Sequence, residues 1–213
     1  MWKERASTLS EYTMKEKIYD LVASSGIRFM MYLFPEYFGK ESVRHNDRYI
    51  EYPFVLENLS SKSVKILDVG CAGSMLPKLI EAIGHNVQGL DIRKSEYTQG
   101  DICYAPFSNS SFDIVTMVST LEHIGLSGRY RAEDDELGDM KALDEVYHIL
   151  KPKGILLLTV PFGKEYKITK YHRIYNLEVL KGLLERFSYT MKTVPSPEAD
   201  YQLALIKAVK GVS

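Results

Sequence analysis

Apolar positions along the chain follow two spacings, short β-branched runs and stretches of helical period, and from about residue 64 the two alternate. Val64, Ile66, Leu67 and Val69 predict a buried parallel strand. Gly70 and Gly73 follow at once and predict a tight turn that lets a ligand come close to the backbone. Met75, Leu76, Leu79, Ile80 and Ile83 then recur at helical spacing up to Gly84. Asn86 to Asp91 reads as a second strand, a short one is expected around Tyr97, and Ser111 to Val118 is the next. A helix over Asp139 to Leu150 turns Met140, Leu143, Val146, Tyr147 and Leu150 inward. Lys151 to Gly154 reads as a turn, and Ile155 to Val160, the most hydrophobic stretch, as a central strand. Asn176 caps a helix to Arg186 with Leu177, Leu180, Leu183 and Leu184 inward. Phe187 to Val194 and Tyr201 to Val209 read as an antiparallel edge. Strand, helix, strand in repetition predicts an α/β sheet that binds ligands at the carboxyl ends of its strands.

Residues 1–60 stand outside this alternation and read as a helical extension, with 61–213 as the sheet domain. Met14, Ile18, Leu21 and Val22 share a helical face after Ser10, Ile27 to Phe34 continues as an apolar helix stopped by Pro35, and Ser42 to Leu59 is interrupted by Pro53. Its aromatic residues, Tyr32, Phe34, Tyr37, Phe38, Tyr49 and Tyr52, are expected to pack against the domain. Lining an acceptor pocket is the alternative, and contact of Phe29 to Phe34 with a membrane surface a weaker one.

Composition narrows the partners. A formal net charge of −1 over 213 residues provides no global field for nucleic acid. The two cysteines, Cys71 and Cys103, make no disulfide framework, so a cytoplasmic setting is expected. No signal peptide is visible, and Ile27 to Phe34 is too short to span a bilayer. The oligomeric state is not legible.

The chemistry lies at the strand ends. Asp68 precedes the glycine turn, where a carboxylate repels phosphates and suits a cationic, phosphate-free ligand. Ala72 fills the second glycine position of the dinucleotide fingerprint, which weakens a nicotinamide-dependent oxidoreductase reading. Asp91 ends the second strand about 20 residues later, where an acidic side chain reaches ribose hydroxyls. Asp101 and Ile102 are positioned to hold an adenine amine and an adenine face. Glu122 and His123 leave the carboxyl edge of the next strand, and His123 suits a general base. Arg129, Tyr130 and Arg131 lie on a long polar loop suited to an acceptor contact, and His172, Arg173 and Tyr175 form a second polar cluster. Glu133, Asp134, Asp135 and Glu136 read as a solvated charge run, with a hard metal ion as the alternative; no metal is expected.

In order, LDVGCAGS, GLDIR, GDICYAPFSNSSFDIVTMVSTLEHIG, LKPKGILLLTVPFG and YHRIYNLEVLKGLLERFSY resemble the motifs of class I S-adenosylmethionine-dependent methyltransferases over about Ser63 to Lys210. The resemblance implies a three-layer αβα Rossmann-like sandwich. Its seven-stranded, mostly parallel sheet would have the order 3-2-1-4-5-7-6, with the seventh strand antiparallel. It implies S-adenosylmethionine as cofactor, with Gly70, Cys71 and Ala72 against its methionine part and Asp68 near its ammonium. Asp91 would take ribose, Ile92, Asp101 and Ile102 adenine, and Ser119 would lie near the reacting methyl. The expected reaction moves a methyl group to a small polar or sugar-bearing acceptor at oxygen, with His123 as base and His172 as the alternative. A lipid- or quinone-like acceptor, or a silent binding module on the cofactor fold, are the rival readings.

Overall fold

The computed structural model describes residues 47–130 and 134–211, with only the backbone of Arg129. The helices expected before residue 47, their aromatic residues, and Arg131 and Glu133 on the polar loop lie outside the described residues. Contacts divide the chain after Val43, so the helix α1, Arg48–Glu57, belongs with the sheet. Pro53 does not interrupt α1 but sits inside it. Pro53 has no N–H to give to the helical ladder, a cost that tertiary packing of Tyr52 and Val55 outweighs.

Seven strands form one sheet. In chain order these are β1 (Lys65–Val69), β2 (Asn86–Asp91), β3 (Thr98–Gln99), β4 (Phe112–Val118), β5 (Leu150–Phe162), β8 (Phe187–Pro195) and β9 (Gln202–Lys210). Their order is β3-β2-β1-β4-β5-β9-β8. Counted among themselves the strands run 3-2-1-4-5-7-6, and the seventh, β9, pairs antiparallel with both neighbours. The expected order therefore holds. The two remaining strands, β6 (Lys167–Ile168) and β7 (Arg173–Ile174), make a separate antiparallel pair that no periodicity announced, since two residues each are too few to show one.

The interior strands are buried on both faces, which is why they read as unbroken apolar runs rather than alternating ones. Helix α2 (Leu76–Ala82) starts on Pro77 and buries Leu76 and Ile80, while Ile83 beyond its end is exposed. A four-residue helix, α3 (Ser127–Tyr130), follows β4. Helix α4 (Gly138–Ile149) turns Ala142, Leu143, Val146 and Ile149 to the core, and the expected Met140 faces outward. Asn176 caps α5 (Leu177–Leu183) by accepting from the Val179 N–H at 3.0 Å; Leu180 and Leu184 are buried but Leu177 is exposed. The expected turn at Lys151 to Gly154 lies within β5, where Lys153 has φ 63° and the pairing with β4 slips between Phe112 and Ile114. Among the described residues no helix is long and apolar enough to cross a membrane.

The chain order reverses between β1 and β4, which lie side by side. The crevice above their carboxyl ends is where such sheets bind ligands.

Candidate functional site

Four strand ends and α1 build the site. At the end of β1, Gly70 has φ 81°, and the place of a Cβ there is filled by the Thr120 side chain. The Thr120 hydroxyl donates to the carbonyls of Val69 (3.2 Å) and Val118 (3.0 Å) and so ties β1 to β4 across the reversal. The close approach that needs this glycine is thus made by Thr120. Gly73, φ 79°, has open space where its Cβ would stand, and that is the free side of the turn. Cys71 points inward, its sulfur against Gly89, and burial pushes its thiol up, so only its backbone faces the crevice. Ser74 takes a hydrogen-bonding contact of 3.0 Å with the Tyr52 hydroxyl and so docks α1 on the turn.

Two aspartates follow. Asp68 is buried in β1, and its carboxylate accepts from the Thr116 hydroxyl at 2.5 Å. Burial pushes its carboxyl up to about 7, against the Thr116 bond and the Arg48 charge. Asp91, at the end of β2, accepts from the Ala72 N–H (2.8 Å), from the Arg93 N–H (2.8 Å) and from the Arg93 guanidinium. Burial alone would raise its carboxyl, but these donors outweigh it and hold the group below the usual carboxylate range. Ile92 beside it is exposed, an apolar surface at the crevice rim. Asp101 caps the short 3-10 turn Ile102–Tyr104 by accepting from the Cys103 N–H at 2.9 Å. Ile102 beside it is 4% exposed and packs in the core.

Beyond β4 and β5 lies a cavity of about 250 Å³. Ser119, Glu122, His123 and Tyr130 from the segment after β4 line one side, with Pro161 and His172 from the end of β5 and the β6–β7 turn. Asp47 and Arg48 at the start of α1, and Glu198 and Tyr201 between β8 and β9, close it. The two histidines chosen from sequence are brought together here, ring centroids 6.5 Å apart and edge to face. His123 Nδ1 lies 2.6 Å from the Tyr171 carbonyl. A carbonyl only accepts, so Nδ1 carries the proton and the ring's lone pair is on Nε2. Nε2 is 3.7 Å from the buried Glu122 carboxylate. Asp47 accepts from Ser196 (2.7 Å), and Tyr201 reaches it at 3.5 Å. Burial pushes the Asp47 carboxyl up.

The residues that sequence reasoning missed come mostly from α1. Glu51 is fully buried and accepts from the Ser119 hydroxyl (2.5 Å), the Thr159 hydroxyl (2.5 Å) and Arg48 (2.6 Å). It fixes Ser119, whose φ of 44° is unusual for a residue with a side chain. The signal was present: Arg48, Glu51 and Tyr52 stand at i, i+3 and i+4, polar positions on one helical face. Two expected site residues are elsewhere. Arg173 is wholly buried, donating to the Ile124 carbonyl at 2.5 Å and pairing with Asp139, and Tyr175 donates to Asp139 at 2.9 Å. Arg173 braces the end of the polar loop from inside, through the carbonyls of Asp135 and Glu136, and Tyr175 the first turn of α4. Asp134 and Asp135 of the acidic run serve Ser127 and Lys141. Among the described residues no three His, Cys, Asp or Glu side chains are grouped to hold a metal ion.

A family model described as "Caenorhabditis protein of unknown function, DUF268" matches residues 90–207, more than half of the chain. The chain belongs to the DUF268 family. The matched stretch of this DUF268 chain runs from the end of β2 into β9 and so contains Asp91, the whole β4 exit and both histidines. Sterol 24-C-methyltransferase erg6 of Schizosaccharomyces pombe is 25% identical over 82% of the chain and 48% of its own length. Sterol 24-C-methyltransferase ERG6B of Gibberella zeae is 25% identical over 70% of the chain and 40% of its own. The chain therefore spans less than half the length of these curated relatives. Burkholderia thailandensis 1,6-didemethyltoxoflavin-N1-methyltransferase, solved with bound 1,6-didemethyltoxoflavin and S-adenosylhomocysteine, superposes with a TM-score of 0.62 at 14% identity, covering 96% of this chain and 92% of that one. The [4+2]-cyclase SpnF superposes with 0.60 at 18% identity, covering 90% and 97%. The fold of this DUF268 chain is that of the class I methyltransferases, and one protein of that fold is a cyclase, so the chemistry has to be argued from the site.

Proposed function

We propose that the chain is an S-adenosylmethionine-dependent methyltransferase acting at oxygen on a small, polar, hydroxylated acceptor. The glycine turn suits that cofactor: open space at Gly73, an exposed Ile92 at the rim, and carboxylates rather than phosphate-binding groups at both strand ends. Arg48, held by Glu51 at the cavity wall, is a cation for the cofactor's own carboxylate. The bound cofactor supplies an already activated methyl on a sulfonium.

What remains for the protein is to bring an acceptor hydroxyl into line, keep water out and take one proton. His123 is suited to the last task. Its Nδ1 proton is committed to Tyr171, Nε2 accepts the hydroxyl proton, and Glu122 stabilises the imidazolium that results. His172 lies in the same cavity as the alternative base.

The observation that carries the acceptor class is the cavity wall, where, among the described residues, Pro161 is the one apolar side chain beside carboxylates, imidazoles, hydroxyls and the Arg48 guanidinium. Its 250 Å³ is room for about eight waters' share of liquid volume. That supports a sugar-sized or smaller polar acceptor over a sterol, whatever the curated relatives are named for. Radiolabelled methyl transfer from S-adenosylmethionine to a panel of methyl glycosides and other polyols, with ergosterol precursors in parallel, tests this. Transfer to a polyol is expected; transfer to the sterols alone overturns the acceptor class.

A further inference from the structure

A carboxylate offers about four lone-pair positions, and the four of Asp91 are all taken within the chain. Oδ1 accepts from the Arg93 N–H (2.8 Å) and Arg93 Nε (3.0 Å). Oδ2 accepts from the Ala72 N–H (2.8 Å) and Arg93 Nη2 (2.9 Å). Nη2 also donates to the Ala72 carbonyl at 2.5 Å, so the guanidinium bridges the end of β2 and the glycine turn across the mouth of the crevice. It lies 4.8 Å from the centroid of the Tyr130 ring. Tyr130 in turn meets His123 edge on, 5.7 Å between centroids, and lines the cavity.

A ribose diol on Asp91 needs one lone-pair position on each oxygen. Two of the present donors are backbone N–H groups, fixed by the turn and the strand end. The other two belong to one flexible side chain that is 40% exposed. The diol therefore replaces the guanidinium and not the backbone. We propose that Arg93 is an internal competitor for the cofactor's ribose, and that its displacement releases Tyr130, so cofactor entry reshapes the acceptor cavity before the acceptor binds. This rests on Asp91 being the ribose carboxylate.

Calorimetric titration of the full chain with S-adenosylhomocysteine separates the possibilities. Arg93→Ala is expected to bind about fivefold tighter than the parent chain, the scale of a partly exposed ion pair. Arg93→Lys keeps a cation beside the buried Asp91 should the alanine variant lose stability. It cannot span both oxygens and the Ala72 carbonyl, and is expected to bind tighter than the parent by a smaller factor. Asp91→Asn is expected to bind at least about tenfold weaker, the loss of a charged hydrogen-bond acceptor. Tyr130→Ala is expected to tighten binding too, with no further gain when combined with Arg93→Ala. If both Arg93 variants bind no tighter while Asp91→Asn is still weakened, Arg93 clamps the cofactor instead of competing, and the inference fails while the ribose reading stands. If Asp91→Asn binds as the parent does, the ribose reading itself fails. Additive gains at Tyr130 and Arg93 overturn the link to the acceptor cavity.

Discussion

Asp68 and Asp91 end neighbouring parallel strands and meet opposite environments. Arg93 and two backbone N–H groups keep Asp91 ionised, whereas burial pushes Asp68 up to about 7 with one hydroxyl as partner. The folded chain thus holds the Asp68 proton to higher pH than the unfolded chain, whose aspartates titrate near 3.9. Its contribution to stability is full below about pH 4 and is lost as pH rises through about 7. A cationic ligand reverses this by favouring the carboxylate. Binding of S-adenosylhomocysteine near pH 6.5 is therefore expected to release a proton, read from the dependence of binding heat on buffer ionisation enthalpy, and Asp68→Asn should abolish the release. Proton uptake would contradict the assignment of Asp68 to the cofactor's ammonium. At His123, replacement by alanine is expected to lower turnover about a hundredfold, the scale of a lost general base. Cofactor affinity should stay unchanged; equal loss of both would make His123 a cofactor contact.

At the level of elements, α1 is what the sequence conveyed least well. Its apolar residues predicted packing, which Tyr52 and Val55 bear out, but its polar face carries the chemistry. Helical spacing marks Glu51 only as one of three polar positions on a face; its burial is not legible, because its hydroxyl partners come from Ser119 and Thr159, brought beside it only by the folded sheet. Strand ends were legible for the opposite reason: Asp91, Ser119 and His123 are fixed by where an apolar run stops, a local property. Helix faces fell between. Met140 and Leu177 fall on the inward face by helical spacing but point outward, because the sheet selects a face rotated from the richest one. Glu51→Gln is expected to cost about 3 kcal/mol, the low end for a broken buried pair because Arg48 keeps a third of its side chain in water. Chemical denaturation measures it, and an unchanged midpoint would mean that α1 is held by apolar packing alone. Gly70→Ala should cost about 1–2 kcal/mol from its backbone conformation, and more from collision with Thr120. Combining it with Thr120→Ser should recover little, because the hydroxyl that serine keeps stands nearest the new Cβ.

Across the whole molecule, the sheet places two unlike sites side by side at the β1/β4 reversal. One is a glycine turn flanked by carboxylates, the other a small polar cavity holding two histidines. Arg93, Tyr130 and His123 join them by successive contacts. A likeness in fold to methyltransferases and to a cyclase alike leaves the ligand to be decided by charge at the turn. The Asp68 carboxylate beside the turn favours a donor with a sulfonium and an ammonium and disfavours a pyrophosphate, while Asp91 suits the ribose of either ligand. Titration of the full chain with S-adenosylhomocysteine and with NADH, under one set of conditions, tests this most directly. Saturable heat with S-adenosylhomocysteine and none with NADH is the expected result; uptake of NADH with no heat from S-adenosylhomocysteine would contradict the account.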